Sequence, residues 1–175
     1  PIDETTSNVA CIQIQSATQQ LDVVTRIVIP SLLSTDMSSS NIQLSMNGVY
    51  MPHWIGRTWP DSTEFFIRMA SIPEGTSILS VEMNPNYNHA NDGTVVFDVF
   101  DDFEAASIND NLWSNSVQSG ASMNLSSGEL IMNVTQTDNY VSLFTDDSFN
   151  LTENWAGLIR CRTQDNRGHT CIAFG

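Results

Sequence analysis

The chain has 175 residues and a net charge of −14, from 20 acidic residues against 6 arginines, with no lysine. Its length can bury a hydrophobic core and fits one domain or two small ones. Such an anionic surface repels the phosphates of nucleic acids and anionic lipids, so we do not expect nucleic acid as a partner. No apolar run reaches the length of a membrane span, so we do not expect membrane insertion.

Apolar residues recur at every second position in many segments of the chain, beginning with residues 22–29. Residues 22–29 (DVVTRIVI), 63–69 (TEFFIRM) and 77–83 (SILSVEM) alternate apolar residues toward one side with mixed residues toward the other. No segment holds a helical period well, and residues 103–113 allow one or two helical turns at most. Short strands separated by turn residues are typical of a β-sandwich. Further strands are predicted at 128–134, 139–145 and 156–162.

A hairpin is predicted at Asn47-Gly48, because this dipeptide is the strongest short hairpin signal. It would join residues 41–46 to a strand at 49–55, in which Pro52 indicates a sheet edge or a bulge. Residues 56–61 (GRTWPD) would then connect this strand to the next one.

The same region carries the residues that most resemble a binding site. Trp54, Trp59, Arg57 and Asp61 lie close together in sequence, with His53 beside them. An exposed indole can stack on a sugar ring while charged groups bind its hydroxyls, which makes carbohydrate binding the alternative function. Aromatic residues on strands more often pack in a core, so we expect mainly a structural role here.

Three cysteines lie at positions 11, 161 and 171. A turn signal at 166–168 could bring Cys161 and Cys171 together as a disulfide in an oxidising compartment, although two unpaired thiols remain the alternative. Cys11 is then left over as a core residue or an intermolecular link. Asn124, Asn133 and Asn150 begin possible glycosylation triplets, at a number that chance alone would produce.

Four segments occur in an order that resembles a known family. They are residues 41–44 (NIQL), 51–55 (MPHWI), 63–87 (TEFFIRMASIPEGTSILSVEMNPNY) and 91–103 (NDGTVVFDVFDDF). The order is similar to that of a family of secreted β-sandwich modules, still labelled a domain of unknown function, in surface proteins of bacteria, archaea and their viruses. In that family the last segment often leads into a concanavalin-like or laminin-G-like jelly roll.

The resemblance implies an all-β fold, an antiparallel, jelly-roll-like β-sandwich, with one module over residues 1–97 and the start of a second over 98–175. Two departures stand out: VEMNPN replaces the family's Tyr-Gly-Asn, and the aromatic-plus-Arg opening of the first strand is missing. The second module looks incomplete. A chain that begins at Pro1 and stops within an alternating strand suggests a processed fragment, a smaller sandwich or a subunit completed by its neighbour's strand.

Carboxylates concentrate at the predicted junction, in the sequence DVFDDFE. Asp98, Asp101, Asp102 and Glu104 could converge on Ca²⁺, which prefers oxygen ligands, and concanavalin-like modules often hold calcium. The simpler interpretation is a solvated acidic linker.

Motifs for an enzyme are missing: there is no phosphate-binding loop, no nucleophile elbow and no HExxH. We therefore predict a structural or adhesion protein of an extracellular, cell or virion surface, assembled with copies of itself or with other surface proteins. The alternative is a glycan-binding module.

Overall fold

A computed structural model describes residues 9–30, 41–83, 92–135 and 139–145. The described residues form antiparallel strands, one short 3-10 helix (Gly93–Val95) and no α-helix. The strands are β1 (Val9–Ser16), β2 (Gln20–Pro30), β3 (Ile42–Met46), β4 (Val49–Tyr50), β5 (His53–Trp59), β6 (Ser62–Ile72), β7 (Gly75–Met83), β8 (Trp113–Val117), β9 (Ala121–Ser126), β10 (Glu129–Val134) and β11 (Val141–Thr145).

Two sheets build the first part of the molecule. Sheet A has the strand order β1-β7-β3-β4, and sheet B has the order β2-β6-β5. Their facing sides share a single hydrophobic core, which draws residues from β1, β2, β3, β5, β6 and β7. The predicted fold class, an all-β antiparallel sandwich, is therefore confirmed.

The alternation seen in the sequence decides which side chains fill the core. In β6, Phe65, Ile67 and Met69 are fully buried between the sheets, whereas Arg68 projects to the outer face of sheet B and binds partners there. In β7, Leu79 and Val81 are the buried counterparts. Because successive side chains of a strand point to opposite faces, each strand supplies one apolar face to the core.

The Asn47-Gly48 hairpin is confirmed. Both residues have positive φ, 52° and 78°, as a two-residue hairpin turn requires, and the turn joins β3 to β4. The single strand predicted at 49–55 is wrong, because the chain breaks at Met51-Pro52 and changes sheet. β4 pairs with β3 in sheet A, whereas β5 pairs with β6 in sheet B. Proline cannot donate a ladder hydrogen bond, which explains the break.

The connection predicted over residues 56–61 is also wrong. β5 continues to Trp59, and only Pro60 and Asp61 separate it from β6. A shift in register between Ile55 and Arg57 identifies a bulge at Gly56. β5 is an edge strand with a bulge, as the proline at its start indicated.

Two further strand pairs follow: β8 with β11, and β9 with β10. Strands predicted over 128–134 and 139–145 are confirmed as β10 and β11. A turn from Ser127 to Gly128 closes the β9–β10 hairpin, and both residues have positive φ. The strand predicted over 156–162 lies outside the described residues.

Candidate functional site

An aromatic cluster covers part of the outer face of sheet B. The ring of Trp54 in β5 lies 5.6 Å from that of Phe66 in β6, between ring centroids. It also meets Phe97 at 5.8 Å and Phe100 at 5.0 Å, both edge-on. Phe97 and Phe100 belong to residues 92–112, which we call the connecting segment. Trp54 therefore packs this segment onto the sandwich, as aromatic pairs of this geometry favour.

Two glycines allow this close packing. A Cβ atom added to Gly56, at the bulge, would lie 2.7 Å from the ring of Phe66 and 2.8 Å from a carboxylate oxygen of Glu64. A Cβ atom on the buried Gly93 would overlap the ring of Phe100. Any larger residue at these positions has to push the aromatic rings away from the sheet.

Arg68 forms the main electrostatic link between the sandwich and the connecting segment. Its Nε and Nη2 donate to the two carboxylate oxygens of Asp22, both at 2.8 Å, and its Nη1 donates to Asp98 at 2.7 Å. The hydrogen bond from Arg68 holds the pKa of Asp22 below its ordinary value, and the two carboxylates raise the pKa of Arg68. A forked guanidinium suits this two-sided contact.

A second ion pair lies on the same face. Arg26 Nε is 2.5 Å from Oε1 of Glu64, whose side chain is almost fully buried. The arginines of residues 1–145, namely Arg26, Arg57 and Arg68, thus all belong to the outer face of sheet B. The alternation of apolar and other residues in β2 and β6 already predicted that Arg26 and Arg68 face away from the core. It could not predict their acidic partners, which are distant in sequence.

A third contact fixes the end of the connecting segment. The indole Nε1 of Trp113, at the start of β8, donates to Oδ2 of Asp101 at 2.7 Å. The other oxygen of Asp101 accepts from the backbone N–H of Phe103 at 2.8 Å. Phe103 has a positive φ of 57°, and its ring is inclined by 30° to that of Trp113, with 6.3 Å between ring centroids. Sequence reasoning missed this pair, whose members are twelve residues apart.

Structure divides the predicted carbohydrate-binding residues into two groups. Trp54 belongs to the aromatic cluster. Arg57 and Trp59 lie at the end of β5, and Asp61 follows them in the turn to β6. The guanidinium carbon of Arg57 lies 5.1 Å from the ring centre of Trp59, a cation–π contact. The side chain of Asp61 accepts from the hydroxyl of Ser62 at 3.1 Å.

His53 does not join either group. It is fully buried and faces the core between the sheets. Its Nδ1 lies 3.2 Å from the carbonyl oxygen of Met51, and its ring centroid is 6.1 Å from both Tyr50 and Phe65. The imidazole therefore stabilises the point where the chain changes sheet, and it is not available to a ligand on the outer face.

The predicted calcium ligands point to different partners. Asp98 binds Arg68 and Asp101 binds Trp113, as described above. Asp102 accepts from the backbone N–H of Glu104 at 3.2 Å, and the Glu104 carboxylate lies against Gly128. Within the described ranges, no three acidic, histidine or cysteine side chains are grouped closely enough to hold a metal ion. A calcium site at these residues stays a prediction.

The predicted covalent modifications are placed only in part. Asn124 in β9 and Asn133 in β10 are exposed, as an attached glycan would require. Asn150, Cys161 and Cys171 lie outside the described residues. Cys11 is an exposed, free thiol on the edge strand β1, so of its two predicted roles the core role is wrong.

An apolar groove lies between the two edge strands on one side of the sandwich. It measures about 450 Å³ and opens between β1 and β2. The residues that line it are Ala10, Cys11 and Ile12 of β1 and Ile27, Val28, Ile29 and Pro30 of β2. Among these lining residues, Cys11 alone has a side chain that is not a hydrocarbon.

Comparison with known families supports the resemblance in part. Residues 38–116 match the model of a domain of unknown function (DUF2341). The match runs from β3 through both long strands β6 and β7, covers the connecting segment and ends in β8. It therefore includes the aromatic cluster and the Trp113–Asp101 contact, and it leaves out β1 and β2.

Neither the curated proteins nor the solved structures contain a match to this chain. Among the described residues, no helix has the length and apolar character needed to cross a membrane.

Proposed function

We propose that this chain is a structural or adhesion module of an extracellular, cell or virion surface, and a subunit of a larger assembly such as a filament, sheath, tail or spike. Its biochemical work is cohesion with copies of itself or with other surface proteins, without catalysis.

One observation carries this proposal: the charged and aromatic side chains that could bind a ligand make contacts within the molecule itself. Trp54 packs under Phe100, Arg68 binds two carboxylates, and Asp101 binds the indole of Trp113. Binding sites usually gather such groups around a concave pocket. In the described part of the chain, the groove that opens between β1 and β2 is apolar instead.

The extracellular location rests on composition and on the family resemblance. An excess of carboxylates without lysine keeps a protein soluble and repels anionic surfaces. A disulfide between Cys161 and Cys171 would accompany this location, because such bonds persist in oxidising compartments. Mass spectrometry of the unreduced chain tests it: one bridged peptide pair supports the disulfide, and two alkylated thiols contradict it.

The test of the proposed function is the state of the purified chain in solution. We expect defined oligomers or polymers by analytical ultracentrifugation and electron microscopy, and no saturable signal on a glycan array. A chain that stays monomeric and binds a glycan tightly would instead favour a carbohydrate-binding module.

That alternative has one observation in its favour, at the β5–β6 turn. Arg57 lies over Trp59, and the exposed Asp61 is nearby, so an indole, a cation and a carboxylate share one loop end. If a glycan binds there, Trp59→Ala removes binding, while a Trp54→Leu variant that still folds keeps it. If both variants still bind the glycan, the alternative is contradicted.

We also keep calcium binding as a proposal for Asp98, Asp101, Asp102 and Glu104. A cation at Asp98 has to compete with Arg68, and one at Asp101 has to compete with Trp113. Isothermal titration with Ca²⁺ tests it, with the Asp102→Asn variant as control. Saturable binding that this variant weakens supports the site, and the absence of heat above dilution contradicts it.

A further inference from the structure

We propose that two copies of this chain pair edge to edge through strands β1 and β2, so that each sheet of one copy continues into a sheet of the other. The inference rests on the proposed structural function and names the partner as a second copy of the same chain. It assigns the contact to the groove side of the sandwich.

The first argument is the position of the two strands. β1 ends sheet A and β2 ends sheet B, and the groove opens between them. Within the described ranges, the outward backbone edges of β1 and β2 have no hydrogen-bonded strand beside them. An edge strand presents a row of N–H and C=O groups that can pair with another chain.

The second argument is the incomplete burial of inward-facing apolar residues. Ala10, Ile12 and Ile14 of β1 face the core but remain partly exposed, as do Val23 and Ile27 of β2. By contrast, Phe65, Ile67 and Met69 of β6 and Leu79 of β7 are fully buried. On the opposite side, the chain crosses from β4 to β5 and buries Met51 and His53. Among the described residues, the sandwich is thus more fully covered on the β4–β5 side than on the β1–β2 side.

The third argument is charge. Residues 9–30 contain one acid, Asp22, and one base, Arg26, in a chain of net charge −14. Both are engaged, with Arg68 and Glu64 respectively. Natural proteins commonly protect long edge strands with charged side chains or proline. On β2, Asp22, Arg26 and the final Pro30 are the residues of these types, and β1 has none over Ala10–Ser16. Leu21, Val24 and Val28 are instead exposed apolar residues on β2.

These features point to a second copy as the occupant. A two-fold axis perpendicular to the sheets places β1 antiparallel to β1 of the other copy, and β2 antiparallel to β2. The backbone N–H and C=O groups of each strand then face their hydrogen-bonding partners in the same strand of the other copy. Two molecules of the same strong negative charge repel each other across most orientations. Residues 9–30 carry no net charge, so pairing through β1 and β2 brings no excess of carboxylates together there.

Sedimentation velocity of the 175-residue chain, over micromolar concentrations, provides the first test. We compare Val28→Glu with Ile78→Glu, which add the same charge at residues of similar exposure, 43% and 41%. Val28 lies at the groove, whereas Ile78 lies on β7, inside sheet A. We expect Val28→Glu to raise the dissociation constant at least about tenfold, and Ile78→Glu to change it little. Equal effects of the two variants overturn the proposal.

Hydrogen exchange, measured at low and at high protein concentration, locates the contact. We expect the amides of β1 and β2 to gain protection as concentration rises, while β5, the other edge of sheet B, does not. Association that protects another surface overturns this inference but leaves the structural function intact. Protection of β1 and β2 at every concentration in a monomer identifies another part of the same chain as the occupant, which also overturns it. A monomer that binds glycans contradicts the proposed function itself.

Discussion

Arg68 in β6 donates a hydrogen bond from Nη1 to Oδ1 of Asp98 at 2.7 Å, and so joins the sandwich to the connecting segment. The other side of the same guanidinium binds Asp22 in β2. One cation therefore fixes two acidic residues that are 76 positions apart in the sequence (98 − 22). In a chain with 20 acids and 6 arginines, such shared use of a cation limits the repulsion between carboxylates.

The Arg68–Asp22 pair makes part of the stability dependent on pH. Because the folded pKa of Asp22 is lowered from 3.8, its contribution is present above that pH and is lost as the pH falls through the lowered folded value. At neutral pH, we expect the urea midpoint of the wild-type chain to be higher than that of Asp22→Asn. The difference between the two midpoints should shrink below about pH 4. A difference that stays constant from neutral to acidic pH contradicts this assignment. Asp61→Asn, at an exposed turn, serves as the control.

Replacing Trp54 tests whether it packs the connecting segment. We expect Trp54→Ala to lower the free energy of unfolding by about 2–4 kcal/mol, because it removes contacts to three aromatic rings. Trp59→Ala is the matched control in the same strand, and we expect it to cost about 1 kcal/mol or less, the size of the cation–π contact with Arg57 that it removes. Chemical denaturation measures both values. Equal losses would show that Trp54 has no special packing role.

Gly93 offers a test of the close contact with Phe100. An added methyl group would overlap the ring, so we expect Gly93→Ala to cost about 1–3 kcal/mol of stability. With Phe100→Ala in the same chain, the methyl group has room and this cost should nearly vanish. A double-mutant cycle measures the coupling. Additive effects of the two substitutions would place the origin of the cost elsewhere, in the backbone of the 3-10 helix.

The Trp113–Asp101 hydrogen bond gives a fourth prediction. We expect Trp113→Phe to cost about 1–2 kcal/mol, because it keeps most of the ring but leaves one carboxylate oxygen without the indole donor. Faster hydrogen exchange of the Phe103 amide, which binds the same carboxylate, should accompany the loss. Trp113→Phe made in an Asp101→Ala chain should cost much less. An equal cost in that chain would mean that ring volume alone matters.

Local patterns in the sequence were sufficient for the class of fold and for many strands. Alternation in residues 63–69 and 77–83 identified the inward faces of β6 and β7, and Asn47-Gly48 identified the hairpin, because both signals depend on neighbours within a few residues. Pro52 indicated an edge strand correctly. It did not reveal that the chain changes sheet there, since a proline excludes a ladder hydrogen bond without specifying which sheet follows.

The candidate site depended on the tertiary structure almost entirely. Asp98 and Asp101 looked alike in sequence, yet one binds the guanidinium of Arg68 and the other binds the indole of Trp113. The amino-acid sequence by itself determined the acidic surface, the strand period and the turn chemistry, all of which are local properties. Only the folded chain decided which partners Asp98 and Asp101 meet and which of the described strands lie at sheet edges, because those contacts join residues that the sequence keeps far apart.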